Sequence, residues 1–332
     1  MTDNPPGLDL QRLADHLGTG PLRAELIEGG RSNLTYRLTD GTERWVLRRP
    51  PLGHVLATAH DMTREYRVLT ALHGSPVPVP RTVRLVTDSE VIGAPFYLME
   101  FVPGTAHRSS AELAALGPER VRALADHLAD TLVALHAIDP REVELADFGR
   151  PEGFLARQVQ RWGKQLAASR SREVPGIDEL AAQLAATLPE SPAPTLLHGD
   201  YRLDNVLVGP DDRITAVLDW EMSTLGDPLT DLGLLVMYTQ LAGRFAGVIP
   251  GVALAPGFPS SAELVDRYAR GSGRDVSAVP WYVAFASFKL AVVLEGIHFR
   301  YSQGRTVGAG FDRVGELVPR FVEHGLTALK ES

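Results

Sequence analysis

His198-Gly199-Asp200-Tyr201-Arg202-Leu203-Asp204-Asn205, followed by Leu218-Asp219-Trp220, decides how this chain is read. Phosphoryl transfer spreads negative charge over the oxygens of the moving group, so a protein mainly positions the reactants and supplies positive charge. An Asp within about 3 Å of an acceptor hydroxyl orients it or takes its proton. An amide oxygen and a second carboxylate suit Mg²⁺, a hard ion that favours oxygen ligands and keeps several waters. Asp200 fits the first role, and Asn205 with Asp219 fits the second.

The segment between them supports the assignment. Val206-Leu207-Val208 is a short β-rich run, Gly209-Pro210-Asp211-Asp212 signals a turn, and Ile214-Thr215-Ala216-Val217-Leu218 is a second strand. A hairpin is therefore predicted, bringing Asn205 and Asp219 to its open end. Asp and Asn usually do no more than cap turns, and for either residue alone that explanation prevails. Three such residues around a hairpin favour a site.

With Leu218-Asp219-Trp220-Glu221 and Gly226-Asp227-Pro228-Leu229-Thr230-Asp231-Leu232 added, the chain resembles the aminoglycoside phosphotransferase family of small-molecule kinases over about residues 22–328. Within it the motifs are closest to the branch found fused to acyl-CoA dehydrogenases in some eukaryotes. The resemblance implies an α+β, two-lobed protein-kinase-like fold with nucleotide between the lobes. The small β-rich N-lobe would take residues 1–101 and the larger, mainly helical C-lobe residues 102–332. It implies ATP and Mg²⁺ as cofactors and a small-molecule hydroxyl as acceptor. A hydroxylated acyl-CoA is the first acceptor expected, and an aminoglycoside or other antibiotic the second. A non-catalytic nucleotide-binding pseudokinase is a reading from another class, against which intact Asp200, Asn205 and Asp219 count; a metal-dependent hydrolase is another. The resemblance also makes His198 a brace for the catalytic loop, and Asp227 and Asp231 structural.

The same resemblance assigns a nucleotide pocket. Gly29-Gly30-Arg31-Ser32-Asn33 lies between two strands, where Gly30, Ser32 and Asn33 would cover the phosphates. A plain hairpin turn explains the Gly-Gly pair equally well; its position in the chain favours the pocket. Strand alternation puts Val46 and Arg48 on one face and Leu47 and Arg49 on the other. Val46 would roof the adenine while Arg48 reaches the α- and β-phosphates with Glu65 as its partner. The family more often has Lys at this position, and Arg is not its equivalent. Tyr97 to Val102, then Pro103-Gly104, resembles the hinge, with Met99 at the back of the pocket and the main chain of Glu100 and Val102 on the base.

Composition sets outer limits. A chain of 332 residues, 44% of them hydrophobic, can bury a sizeable core. A net charge of −8 argues against general nucleic-acid binding. With no cysteine there is neither a disulfide nor a thiolate metal site, which fits a cytoplasmic location. The N-terminus lacks the basic and apolar regions of a signal peptide, and no membrane partner is expected.

Along the chain, strands are predicted at 26–27, 34–38, 45–48, 82–87 and 95–102. Helices are predicted at 58–72, from Pro118 along the stripe Val121, Leu124, Leu128, Leu132 and Leu135, and at 153–169, 177–188, 229–242, 260–271, 279–302 and 310–328.

For the acceptor, residues 157–172 carry five basic residues and no acid. Arg157, Arg161 and Lys164 share one helix face and, with Arg202, are candidates to hold an anionic acceptor such as the phosphates of coenzyme A. A solvated basic face is the plainer explanation of that stripe. Lys289, Glu295, His298 and Arg300 form a polar inset in an apolar helix.

Overall fold

The alternating residues of 34–49 form the paired strands their pattern predicts. The structure, a computed structural model, describes residues 4–27, 33–52, 61–245, 249, 251–304 and 313–331. The chain divides into two compact units. The first takes Met1–Thr105, Val206–Pro210 and Thr215–Ser223; the second takes Ala106–Asn205, Asp211–Ile214 and Thr224–Ser332.

The first unit is built on a five-stranded antiparallel sheet. Its strands are β1 (Arg23–Leu26), β2 (Leu34–Thr39), β3 (Arg44–Arg49), β4 (Thr82–Val86) and β5 (Phe96–Glu100), in the order β1-β2-β3-β5-β4. Tyr36 stands opposite Leu47, and Leu47 opposite Leu98, so one face forms a continuous apolar layer. Helix α1 (Leu10–Leu17) covers that layer with Leu10, Leu13 and Ala14. Burying each such leucine contributes roughly 1.5–3 kcal/mol. Arg49 shares this face and satisfies its guanidinium on the carbonyls of Gly7 and Ile92. Helix α2 (Met62–Leu72), opened by the Asp61 side chain on the Arg64 N–H, presents Glu65 to Arg48. Residues 58–60 of the predicted helix lie outside the described residues.

The predicted hairpin forms from β7 (Val206–Val208) and β8 (Ile214–Val217). Thr105 exchanges backbone hydrogen bonds with Val208, and the Val217 N–H donates to the Pro78 carbonyl at 2.8 Å.

The second unit is mainly helical. It contains α3 (Ser110–Ala114), α4 (Pro118–Ala137), α5 (Phe154–Ser169), α6 (Ile177–Ala186), α7 (Leu229–Gln240), α8 (Ser261–Ser272), α9 (Val279–Ser302) and α10 (Val314–Leu329). Helix α6 stops short of the predicted residue 188 because Leu188 precedes Pro189, and a residue before proline is pushed out of the helical region. Short strands β6 (Thr195–Leu197) and β9 (Thr224–Gly226) pair antiparallel.

Helix α9 is the core of this unit. By length and composition it could cross a membrane, with a mean hydropathy of 1.4, but 67% of its most apolar window is buried inside the fold. An all-round apolar helix of this kind is what a core helix looks like. Gly233 of α7 lets it approach closely, since a Cβ there would sit 2.5 Å from the Tyr282 Cβ. The polar inset is anchored too: Glu295, fully buried, receives Arg172 at 2.8 Å.

Candidate active site

Strand β6 delivers His198 into a turn whose amides need acceptors. Asp231, in the first turn of α7 and wholly buried, supplies both: its Oδ2 accepts the His198 N–H at 2.7 Å and its Oδ1 the Gly199 N–H at 2.8 Å. The ring of His136 approaches Oδ2 at 3.3 Å. Burial pushes this carboxyl upward, but the His136 and His198 interactions outweigh it and hold it below the usual range. His198, itself buried, turns Nδ1 toward the Asp200 N–H at 3.2 Å. Asp227 is structural as well, accepting the Leu229 N–H at 3.0 Å and the Tyr282 hydroxyl at 2.6 Å.

The loop so pinned carries Asp200 and Asn205 together. The Asn205 Nδ2 donates to the Asp200 carbonyl at 2.9 Å and to its Oδ2 at 3.1 Å. With the nitrogen engaged, the amide oxygen, the atom a hard cation would use, points to the other side of the group. The Tyr238 hydroxyl of α7 lies 3.4 Å from Asp200 Oδ1, and the Arg202 Nε lies 3.4 Å from Oδ2. Arg202 also pairs with Asp204 at 3.0 Å and lies over the Tyr238 ring. Burial pushes the Asp204 carboxyl up, against the pull of Arg202.

Asp219 belongs to the first unit. Its φ of 66° puts a non-glycine residue in the left-handed region, a conformation worth about 1–3 kcal/mol of strain and concentrated at functional sites. Arg48 holds it there: one guanidinium nitrogen, Nη2, lies 3.0 Å from Asp219 Oδ1 and 3.2 Å from Glu65 Oε1. Burial opposes the Arg48 charge, but Glu65 and Asp219 overcome it and raise its pKa. Glu65 is pushed up by burial and pulled down by Arg48. The following residues are fixed by packing, since Trp220 is fully buried and its Nε1 donates to the Val217 carbonyl at 3.0 Å.

The remaining nucleotide candidates are placed as follows. Gly30 and Ser32 lie outside the described residues. Asn33 is buried, with its Nδ2 3.1 Å from Glu221 Oε2. Val46 and Met99 stand opposite each other across β3 and β5, both buried. The Glu100 N–H is bonded to the Arg81 carbonyl at 2.9 Å, so the carbonyl of Glu100 and the main chain of Val102 are what this segment can offer a base.

Of the basic stripe, Arg157, Arg161 and Lys164 are all exposed. Arg157 turns back onto the carbonyls of Arg150 and Glu152. Tyr238 went unnoticed in the sequence because a tyrosine at the end of an apolar helix carries no motif. The heptad-like step from Asp231 to Tyr238, which puts both on one side of α7, is the signal that could have found it.

Among the described residues no cluster of three or more His, Asp or Glu could hold a metal unaided. Asn205 offers an amide oxygen and Asp219 a carboxylate, the kinds of donor Mg²⁺ takes beside phosphate and water.

A sheet-plus-helices chain carrying these loops is a kinase-like phosphotransferase fold. The profile of the phosphotransferase enzyme family (APH) matches residues 23–280, and the chain belongs to that family. A Ralstonia eutropha JMP134 protein with a provisional aminoglycoside phosphotransferase name superposes with a TM-score of 0.84 at 33% identity, covering 97% of this chain and 98% of that one. The fold extends to the aminoglycoside phosphotransferase APH(4)-Ia, crystallised with ADP and hygromycin B, with a TM-score of 0.66 at 15% identity over 96% of this chain and 98% of that one. Mouse acyl-CoA dehydrogenase family member 10 is 34% identical over 92% of this chain, which spans 29% of that relative's length.

Proposed function

We propose that this chain is an ATP-dependent, Mg²⁺-requiring kinase that phosphorylates a hydroxyl of a small molecule. The observation that carries the reading is the Asp200–Asn205 pair, a carboxylate and an amide locked together on a loop pinned by a buried aspartate. Asp200 orients the acceptor hydroxyl and takes its proton; Tyr238 and Arg202 keep its carboxylate in one orientation. Asn205 and Asp219 would hold the magnesium, which neutralises charge on the phosphates when bound. Arg48 carries the positive charge expected at the α- and β-phosphates, with Glu65 keeping it in place. Val46 and Met99 supply an apolar wall for the base, and Glu100 with Val102 the polar contacts. Gly30, Ser32 and Asn33 complete the phosphate cover. The lobe division at residues 101/102 belongs to the same proposal.

A hydroxylated acyl-CoA is the acceptor we favour. The relatives of the acyl-CoA dehydrogenase family carry much further sequence beside the matching region, and their name points to acyl-CoA chemistry next to this kinase-like part. An aminoglycoside is a polycation and calls for a carboxylate-rich pocket, whereas residues 240–332 hold 10 Lys and Arg against 8 Asp and Glu. The test is ATP turnover with hydroxyacyl-CoA, aminoglycoside, macrolide and amino-alcohol acceptors, with the product identified by a mass gain of one phosphate. Phosphorylation of a hydroxyacyl-CoA is the expected result. Tight ATP binding with no acceptor turned over would leave a pseudokinase instead.

A further inference from the structure

Lys289 lies in the middle of apolar α9, half-buried, with its Nζ 3.2 Å from the carbonyl of Gly199, the residue before Asp200. Its ammonium is 5.8 Å from the centre of the Trp162 ring, and the Arg161 guanidinium is 5.7 Å from the same ring. Two cations therefore share one indole beside the catalytic loop. Among the described residues neither forms a salt bridge. Burial lowers the Lys289 pKa and Arg161 adds to that, while Asp200 and Asp231 support its charge. Keeping a partly desolvated cation in the field of another without a salt-bridge partner is costly, and a bound anion relieves the cost.

We infer that Lys289, Arg161 and the Trp162 ring form an anion-binding subsite of the acceptor pocket, taking a carboxylate or phosphate on the molecule whose hydroxyl meets Asp200. The inference rests on the kinase reading and sharpens it to hydroxylated anions. An ammonium has three donors; Gly199 takes one and two remain for the anion. The buried Trp162 ring backs the two cations from the side of the core. The loop does not depend on Lys289 for its shape, because Asp231 already fixes the His198 and Gly199 amides.

Acceptors that share one hydroxylated chain and end in a carboxylate, a phosphate monoester, a methyl ester or an amine test this. The wild type should prefer the better anion over the methyl ester by about tenfold or more in kcat/KM. Lys289→Met should erase most of that preference through KM, and Lys289→Arg should restore it. Arg161→Gln, at an exposed position that spares the core, should reduce the preference about threefold. The carboxylate and phosphate arms tell which anion is bound. If Lys289 merely braced the loop, Lys289→Met would lower kcat for all four acceptors alike and leave the preference intact, which overturns the inference. If none of the four is phosphorylated, the kinase reading is what has failed, and calorimetric titration with butyrate and with inorganic phosphate decides the subsite. Binding weakened by Lys289→Met and by Arg161→Gln supports it; no binding of either anion to the wild type overturns it.

Discussion

The two loops that carry the candidate catalytic carboxylates are held by different physics. The Asp200 loop is fastened by neutral backbone amides to a carboxylate with no solvent exposure. The Asp219 loop is fastened by charge, through an arginine that divides one nitrogen between Asp219 and Glu65. Amide bonds to a buried anion have no better partner to move to. A shared guanidinium does, because a phosphate competes directly for it. On the proposed function, the first loop would stay and the second would exchange partners when a nucleotide arrives.

Removing the anchor of the fixed loop should have the largest effect. Asp231→Ala leaves two amides and His136 without their buried acceptor, and denaturant titration should show a loss of about 3–5 kcal/mol together with inactivity. A loss below about 1 kcal/mol would end the contrast between the loops.

Next comes the division of labour between the carboxylates. Asp200→Asn should cut kcat by about 10²–10⁴ while leaving nucleotide affinity near that of the wild type. Asp219→Ala should abolish Mg²⁺-dependent nucleotide binding. Equal effects of the two on nucleotide affinity would show that the assigned roles are wrong.

The exchangeable loop is probed more gently by Arg48→Lys. An ammonium is a point donor and cannot reproduce the arginine's place between two carboxylates, so stability should fall by about 1–3 kcal/mol. The loss should shrink at saturating nucleotide if phosphate takes over as partner.

Acid sensitivity gives the smallest effect. Asp231 is held below the usual carboxylate range and stays ionised as the pH falls, so the fixed loop survives mild acid. His324 behaves oppositely: burial, with Arg244 adding to it, depresses its pKa to about 4. An unfolded histidine protonates near pH 6.5 and the folded one resists, so its contribution is complete above about 6.5 and declines toward pH 4. His324→Gln should flatten that slope in thermal melts across the same window.

Much of this was legible in the sequence because it is local. Helix α9 spans Val279–Ser302, as its apolar run predicts, and α4 begins at Pro118, where a proline at the first helical position is well placed. Helix α1 escaped notice although Asp9 and Gly18 mark its ends and Leu10, Leu13 and Ala14 its buried side. It is a single amphipathic element of 8 residues, too short for periodicity to stand out. Strands β6 and β9 are three residues each and find one another across 26 intervening residues, the Asp200 loop among them, so neither carries a pattern of its own. At the site, motif spacing picked out Asp200, Asn205 and Asp219. The α7 hydroxyl beside Asp200 and the paired cations on Trp162 arise from contacts between residues 38 and 127 positions apart, which no window along the chain can see.

The sequence by itself determined most of the order of strands and helices, the family, and the candidates Asp200, Asn205 and Asp219, because periodicity, turn residues and spacing act over a few neighbours. The tertiary structure alone decided which groups hold those residues. That Asp231 anchors the loop together with His198, that Arg48 serves two carboxylates, and that Lys289 stands by the Asp200 loop follow from packing. Packing is set by distance in space, and desolvation gives each of those contacts its strength.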